Sequence, residues 1–241
     1  MRCAFLTASV ATWLILVVST APAAVIATWS FEGLSVSTTP GLTPVPTAGS
    51  LAADLGTGTL SGVHSANSTW STPAGNASTR SLSVNTWSAG DVWEFTADTT
   101  GFAGIQLLFD ATRSSTGPTD FKVQYSLTGP AGSFVDLPGG AYTLAAISFS
   151  TTGNPNVNTP PRFYFDLGSI TGLDNNPNAA FRLAATAGGS GTSGTSRIDN
   201  VTVGTGLIPE PSAACLIAPL LVFRRRRGAA RRKSVAAGVF P

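Results

Sequence analysis

Short runs in which every second residue is large and apolar recur along this chain, and that alternation limits the fold more than any other feature. From Phe121 to Leu127, the apolar residues Phe121, Val123, Tyr125 and Leu127 alternate with Lys122, Gln124 and Ser126. Successive side chains on a strand point to opposite faces, so the pattern predicts a strand with one buried and one wet face. Ile105, Leu107, Phe109 and Ala111 repeat it, as do Phe163, Phe165 and Leu167, and Val25, Ala27, Trp29 and Phe31. Trp93 with Phe95, Ile147 with Phe149, and Phe181 with Leu183 mark three more strands. Leu55 to Val63 and Ser81 to Trp87 are the expected strands of the loop-rich stretch between Gly33 and Gly90. In Arg197 to Val203 the phase slips, because Ile198 points opposite to Val201 and Val203; a bulge near Asp199 and Asn200 reconciles them. Gly, Pro, Ser and Thr clusters separate the runs, the Ser/Thr/Gly-rich Gly188 to Ser196 being the expected flexible loop before the last strand. No segment has a helical period. One apolar face per strand is what a two-sheet β-sandwich requires, so the expected class is all-β.

The two ends of the chain differ from this interior. Residues 1–23 combine Arg2, an apolar centre from Trp13 to Val18 and the small-x-small sequence Ala21-Pro22-Ala23, which together read as a Sec-type signal peptide. At the other end, residues 209–241 contain Pro209-Glu210-Pro211, an apolar stretch from Ala213 to Phe223, and Arg224, Arg225, Arg226 and Arg227. The prolines stop regular structure by fixing φ and removing backbone donors. Consecutive arginines are costly in hydrocarbon and stay on the cytoplasmic side, so they read as a stop signal for export.

The passenger between these ends, residues 24–208, is long enough for one domain with a sizeable core. It has six basic and eleven acidic residues, so the overall charge of +2 belongs to the ends and the passenger is near −5. Nucleic-acid binding, which needs a basic face, has no support. Cys3 and Cys215 are the only cysteines, one in each end, which leaves the passenger without a thiol or a disulfide. His64 is the only histidine, and it excludes a multi-histidine metal centre.

In order and composition, Pro209-Glu210-Pro211, the apolar run and the arginine cluster resemble the PEP-CTERM sorting signal of Gram-negative bacteria. That resemblance implies a substrate of exosortase, a membrane transpeptidase that recognises Pro209, Glu210 and Pro211. It also implies the Sec translocon and signal peptidase as earlier partners, transient residence in the inner membrane, and delivery to the cell surface or an exopolysaccharide matrix. The passenger is similar to the jelly-roll or galactose-binding-like domains that precede such signals, on Trp29-Ser30-Phe31-Glu32-Gly33, Phe109-Asp110-Ala111-Thr112-Arg113-Ser114 and Arg197-Ile198-Asp199-Asn200-Val201. Carbohydrate-binding jelly rolls often hold a structural calcium between the first and last strands. That likeness makes Glu32 and Asp199 candidate calcium ligands; the alternative is a solvated Glu32 and an Asp199 that pairs with Arg197 or caps the bulge.

Three functions stand at this level. The first is a noncatalytic surface or matrix protein. The second is a carbohydrate-binding module that holds exopolysaccharide, for which Trp70 and Trp87, set among Ser, Thr and Asn, are candidate stacking platforms. The third and weakest is a secreted glycan hydrolase using carboxylates among Asp91, Glu94, Asp110, Asp120 and Asp166, none of which a spacing singles out. His64 beside Ser61 and Ser65 has no nucleophile elbow and reads as a solvated turn residue. Asn-x-Ser/Thr triplets stand at Asn67, Asn76 and Asn200.

Overall fold

A computed structural model of the chain describes residues 23–149 and 161–207. The signal-peptide residues before them and the sorting residues Pro209 to Arg227 lie outside this description. In chain order the strands are β1 (Ala24–Trp29), β2 (Ser35–Val36), β3 (Pro46–Ala48), β4 (Leu55–Gly56), β5 (Leu60–Val63), β6 (Trp70–Ser71) and β7 (Leu82–Val84). They continue with β8 (Val92–Ala97), β9 (Gln106–Arg113), β10 (Asp120–Ser126), β11 (Val135–Thr143), β12 (Arg162–Asp166), β13 (Ala179–Ala185) and β14 (Ser196–Thr205). A single 3-10 turn, Thr171–Leu173, is the helical content among the described residues.

These strands build a two-sheet jelly-roll β-sandwich, the expected class. The larger sheet runs β12-β9-β14-β1-β4, with β7 also on β14 and β6 on β7; the smaller runs β11-β10-β13-β8-β5. Every strand pairing in them is antiparallel. Alternation sets the inner faces: Leu107, Phe109 and Ala111 of β9 meet Phe121 and Val123 of β10 and Phe181 and Leu183 of β13 in one buried cluster. Aromatic rings span the layers, Trp29 with Phe95 at 6.0 Å, Phe109 with Tyr142 at 5.5 Å and Trp70 with Trp93 at 5.8 Å. Such edge and offset contacts add to the area that the rings bury.

The bulge expected near Asp199 and Asn200 is present as a register shift between Asp199 and Thr202. Asn200 takes φ 49°, a left-handed conformation that Asn tolerates better than most residues. Here β14 changes neighbours along one of its edges, pairing with β7 over Ser196 to Ile198 and with β1 over Val201 to Thr205. An extra residue with a local kink lets one strand serve two partners of different register.

Several expectations need correction. Ile147 and Phe149 are not in a strand; their segment hangs beside β9 through Thr112, whose hydroxyl donates to the Ile147 carbonyl. Leu127 is exposed, because β10 ends at Ser126. The Leu55 to Val63 run is two strands, β4 and β5, on different sheets. The long edge strand β11 was not anticipated, since Pro138, Gly139 and Gly140 sit inside it; an edge tolerates proline, whose missing N–H faces no neighbour.

Phe109 contacts rings on both sheets and is fully buried. Phe109→Ala is expected to cost about 3–5 kcal/mol. Urea unfolding of the two proteins checks this, and a loss below about 1 kcal/mol would show that the site collapses around the smaller side chain.

Candidate functional site

Two regions on the outer faces of the sheets gather polar side chains, and a third polar group lies inside the sandwich. On the larger sheet, Asp110 of β9 and Asp199 of β14 are register partners pointing away from the core, and both are completely buried beneath the segment from Thr72 to Arg80. Arg162 of β12 pairs opposite Asp110 and holds its carboxylate with two bonds, Nε to Oδ1 at 2.7 Å and Nη2 to Oδ2 at 3.0 Å. Asn76 and Asn200 donate their side-chain amides to Asp110 Oδ2 at 3.1 Å and 2.8 Å. Asp199 accepts from the Asn76 backbone N–H at 2.7 Å, from Ser78 Oγ at 2.6 Å and from the Asn200 N–H at 2.8 Å. Gly75 is required beneath them, because an added Cβ would lie 2.4 Å from Asp199 Oδ2. Beside this arrangement an open depression of about 330 Å³ is lined by Thr28, Asn76, Ala77, Leu108, Arg162, Asn200 and Thr202.

Burial pushes the Asp199 pKa up from 3.8 to about 7, opposed by its bonds to Ser78, Asn76 and Asn200 and reinforced by the Asp110 charge. The proposed pairing with Arg197 is not made by hydrogen bonding: Arg197 Nη1 donates to the Ala74 carbonyl. The bulge-capping alternative fits, since Asp199 Oδ1 accepts the Asn200 N–H.

Glu32 is exposed and accepts from the backbone N–H and hydroxyl of Thr79. It therefore grips the same covering segment as Asp199, one residue further along. The pair does not fit a calcium site: both carboxylates face N–H and O–H donors, whereas calcium needs a shell of six to eight oxygen lone pairs. Among the described residues, no group of three or more His, Cys, Asp or Glu is placed to hold a metal ion.

The candidate platforms Trp70 and Trp87 are core residues, only 1% and 5% exposed. Their indole N–H groups donate inward, Trp70 to the Gly41 carbonyl at 3.0 Å and Trp87 to the Val84 carbonyl at 2.9 Å. A ring spent in this way offers no face to a sugar. His64 lies between them, with ring centroids 5.1 Å from Trp70 and 4.4 Å from Trp87, so it is buried and not solvated as expected. Its Nδ1 meets both Ser68 Oγ at 2.8 Å and Asp91 Oδ2 at 3.5 Å. A catalytic triad needs acid and nucleophile on opposite ring nitrogens, so this is not one. Asp91 also accepts the Ser65 and Ser88 N–H groups, tying the loop after β5 to its own loop before β8. Burial lowers the His64 pKa, against the pull of Asp91. Of the glycosylation-like triplets, Asn67 is exposed, while the amides of Asn76 and Asn200 are committed to Asp110.

The smaller sheet carries a polar row that sequence reasoning missed. Ser61 of β5, Glu94 of β8, Arg182 of β13, Gln124 of β10 and Asp136 of β11 are successive register partners across all five strands. Ser61, Glu94 and Arg182 stand between buried residues, and Gln124 and Asp136 adjoin the core residues Val123 and Leu137, so the row faces outward. Arg182 Nε donates to Glu94 Oε2 at 2.7 Å, and its guanidinium lies 3.7 Å from the centre of the Phe134 ring. Asp136 accepts from Gln124 at 2.7 Å and from Lys122 at 2.9 Å. Four strand spacings make the row roughly 19 Å long. The wet positions of the individual strands were visible in sequence, but their alignment depends on register, which one strand's pattern does not set.

No protein-family model and no curated protein sequence matches this chain. Among solved structures, it is similar to the CBM22-1 xylan-binding domain from Paenibacillus barcinonensis Xyn10C, at 8% identity and a TM-score of 0.45 over 77% of this chain and 96% of that one. It is also similar to the family 11 carbohydrate-binding module of the cellulosomal cellulase Lic26A-Cel5E of Clostridium thermocellum, at 12% identity and a TM-score of 0.42 over 80% of this chain and 99% of that one.

A carboxyl held protonated in the folded state but released on unfolding stabilises the fold below its unfolded pKa, and that contribution is lost as pH rises through its folded pKa. For Asp199 the window runs from 3.8 to about 7. His64, lowered by burial, has the opposite sign and stabilises least in acid. Stability of the wild type relative to Asp199→Asn is therefore expected to fall between pH 4 and pH 7.5 in urea titrations. A wild-type-to-variant difference that stays constant over that range would show that Asp199 titrates normally.

Proposed function

We propose that this is an exported, noncatalytic cell-surface or extracellular-matrix protein whose sandwich holds polysaccharide on the outer face of its five-stranded sheet. The row from Ser61 to Asp136 is the observation that supports the binding part. It offers carboxylate, guanidinium and amide groups in a line, beside one aromatic ring. Hydroxyl-rich chains are both donors and acceptors, so such a mixed row suits an extended glycan better than a compact anion or an apolar ligand. Neighbouring side chains already orient the groups, which lowers the ordering cost on binding.

Export and sorting are supported by the order of segments in the sequence: a signal peptide, the passenger, then Pro209-Glu210-Pro211, the apolar run and Arg224 to Arg227. On this reading Pro209, Glu210 and Pro211 are acted on by exosortase, and exopolysaccharide is the ligand encountered after delivery. A noncatalytic role agrees with the state of three of the five carboxylates once weighed for hydrolysis: Asp110 is clamped by Arg162, Glu94 by Arg182, and Asp91 by backbone N–H groups.

The test uses the protein recovered from the exported fraction of its own host. Its intact mass is expected to correspond to a chain beginning near Ala24 and ending within Pro209 to Pro211; a product retaining Arg224 to Pro241 would remove the sorting reading. The same protein is expected to be retained on immobilised exopolysaccharide from that host. Arg182→Met, which keeps the aliphatic stem but removes the charge, is expected to weaken retention roughly tenfold, about 1.4 kcal/mol. Equal retention of the variant would reject this face, and no retention of either protein would reject glycan binding.

A further inference from the structure

The depression on the seven-stranded sheet has a property that its buried carboxylates alone do not explain. Asp110 fixes three side chains at once, and each has a polar atom left over. Arg162 spends Nε and Nη2 on Asp110, leaving Nη1. Asn76 and Asn200 each turn their NH₂ group to Asp110, so each amide oxygen points away from it. All three residues line the depression, with Ala77, Leu108 and the hydroxyl-bearing Thr28 and Thr202 completing its wall. One donor and two acceptors are thus held rigidly around Leu108 in a space of about 330 Å³. Both asparagines are locked further: the Asn76 N–H is tied to Asp199, and Asn200 also donates to the Asn76 carbonyl at 2.9 Å.

Polar groups fixed by a supporting shell around a small apolar surface are the makings of a specific site, because binding then requires little ordering. The left-handed backbone at Ala77, φ 59°, and at Asn200, φ 49°, places two lining residues in conformations that only the surrounding contacts maintain. The charges inside the arrangement are already matched, Arg162 against Asp110, which disfavours a strongly charged ligand. Alternating acceptors and a donor favour neutral hydroxyl groups.

We propose that this depression is a binding subsite for a single neutral sugar residue, with Arg162 Nη1 donating to one hydroxyl, the Asn76 and Asn200 side-chain oxygens accepting from others, and Leu108 under the ring. The site is separate from the row on the five-stranded sheet and does not depend on it. Since the two outer faces point in opposite directions, a protein with both joins two glycan strands.

The test is ¹⁵N-edited NMR of the side-chain resonances of Arg162, Asn76 and Asn200, titrated separately with the methyl glycosides of glucose, galactose and N-acetylglucosamine. At least one is expected to displace these resonances saturably, with a Kd on the order of millimolar, as a dozen ligand atoms and a few hydrogen bonds allow. Leu108→Trp fills the depression from its wall, leaves the Asp110 contacts in place and is expected to abolish the displacement. Arg182→Met is expected to leave it unchanged, which separates this subsite from the opposite face. No displacement by any of the three glycosides, or the same displacement in Leu108→Trp, would overturn the proposal.

Discussion

Two carboxylates side by side, out of contact with water, set the terms for half of this molecule. Burying Asp110 and Asp199 next to each other costs heavily unless positive charge and hydrogen-bond donors meet them. The chain supplies both from distant segments: Arg162 from the edge strand β12, and Asn76 and Ser78 from the covering segment. The bulge at Asn200 belongs to the same solution, because it turns that amide back onto Asp110 and gives β14 its second partner. Gly75 follows from it too, as the only residue that lets the covering segment come so close. Retaining a proton on Asp199 near neutrality is what remains of the cost after these contacts.

Inside the sandwich, cohesion comes from aromatic packing and not from disulfides. The passenger has no cysteine, so its cohesion has to come from buried area. Trp70, Trp87 and Trp93 surround or adjoin His64, and the Asp91 carboxylate fastens the loops around that group. A lone histidine here is a packing element whose Nδ1 faces Ser68 and Asp91. Its chemistry is spent on structure.

The fold was legible because alternation reports directly on which side of a strand is buried. Phe121, Val123 and Tyr125, or Leu107 and Phe109, predict their strands without help from the rest of the chain, and the phase slip around Asp199 disclosed the bulge. Trp70 and Trp87 were misread for a related reason. Their neighbours are polar, but those neighbours are themselves hydrogen-bonded: the Thr69 N–H goes to the Asn85 side chain, and the Ser68 hydroxyl to the Ala66 carbonyl. A polar surrounding therefore signalled a satisfied interior, not an exposed face. The five-residue row was hidden because it exists only across strands, and Arg162 gave no sign of its role because Asp110 lies 52 positions earlier.

The first and last strands of the passenger are neighbours, Ala24 pairing with Thr205, so the chain enters and leaves the sandwich at one corner. Antiparallel hydrogen bonds lie across the strands. A pull applied between these two ends would peel β1 from β14 one rung at a time, with little resistance. A pull applied through the C-terminal end alone, against a ligand gripped by either outer face, loads β14 lengthwise between β9 and β1, where many rungs must yield together. Loaded between its C-terminal end and an outer face the sandwich would thus be mechanically strong, and loaded between its two ends it would be weak.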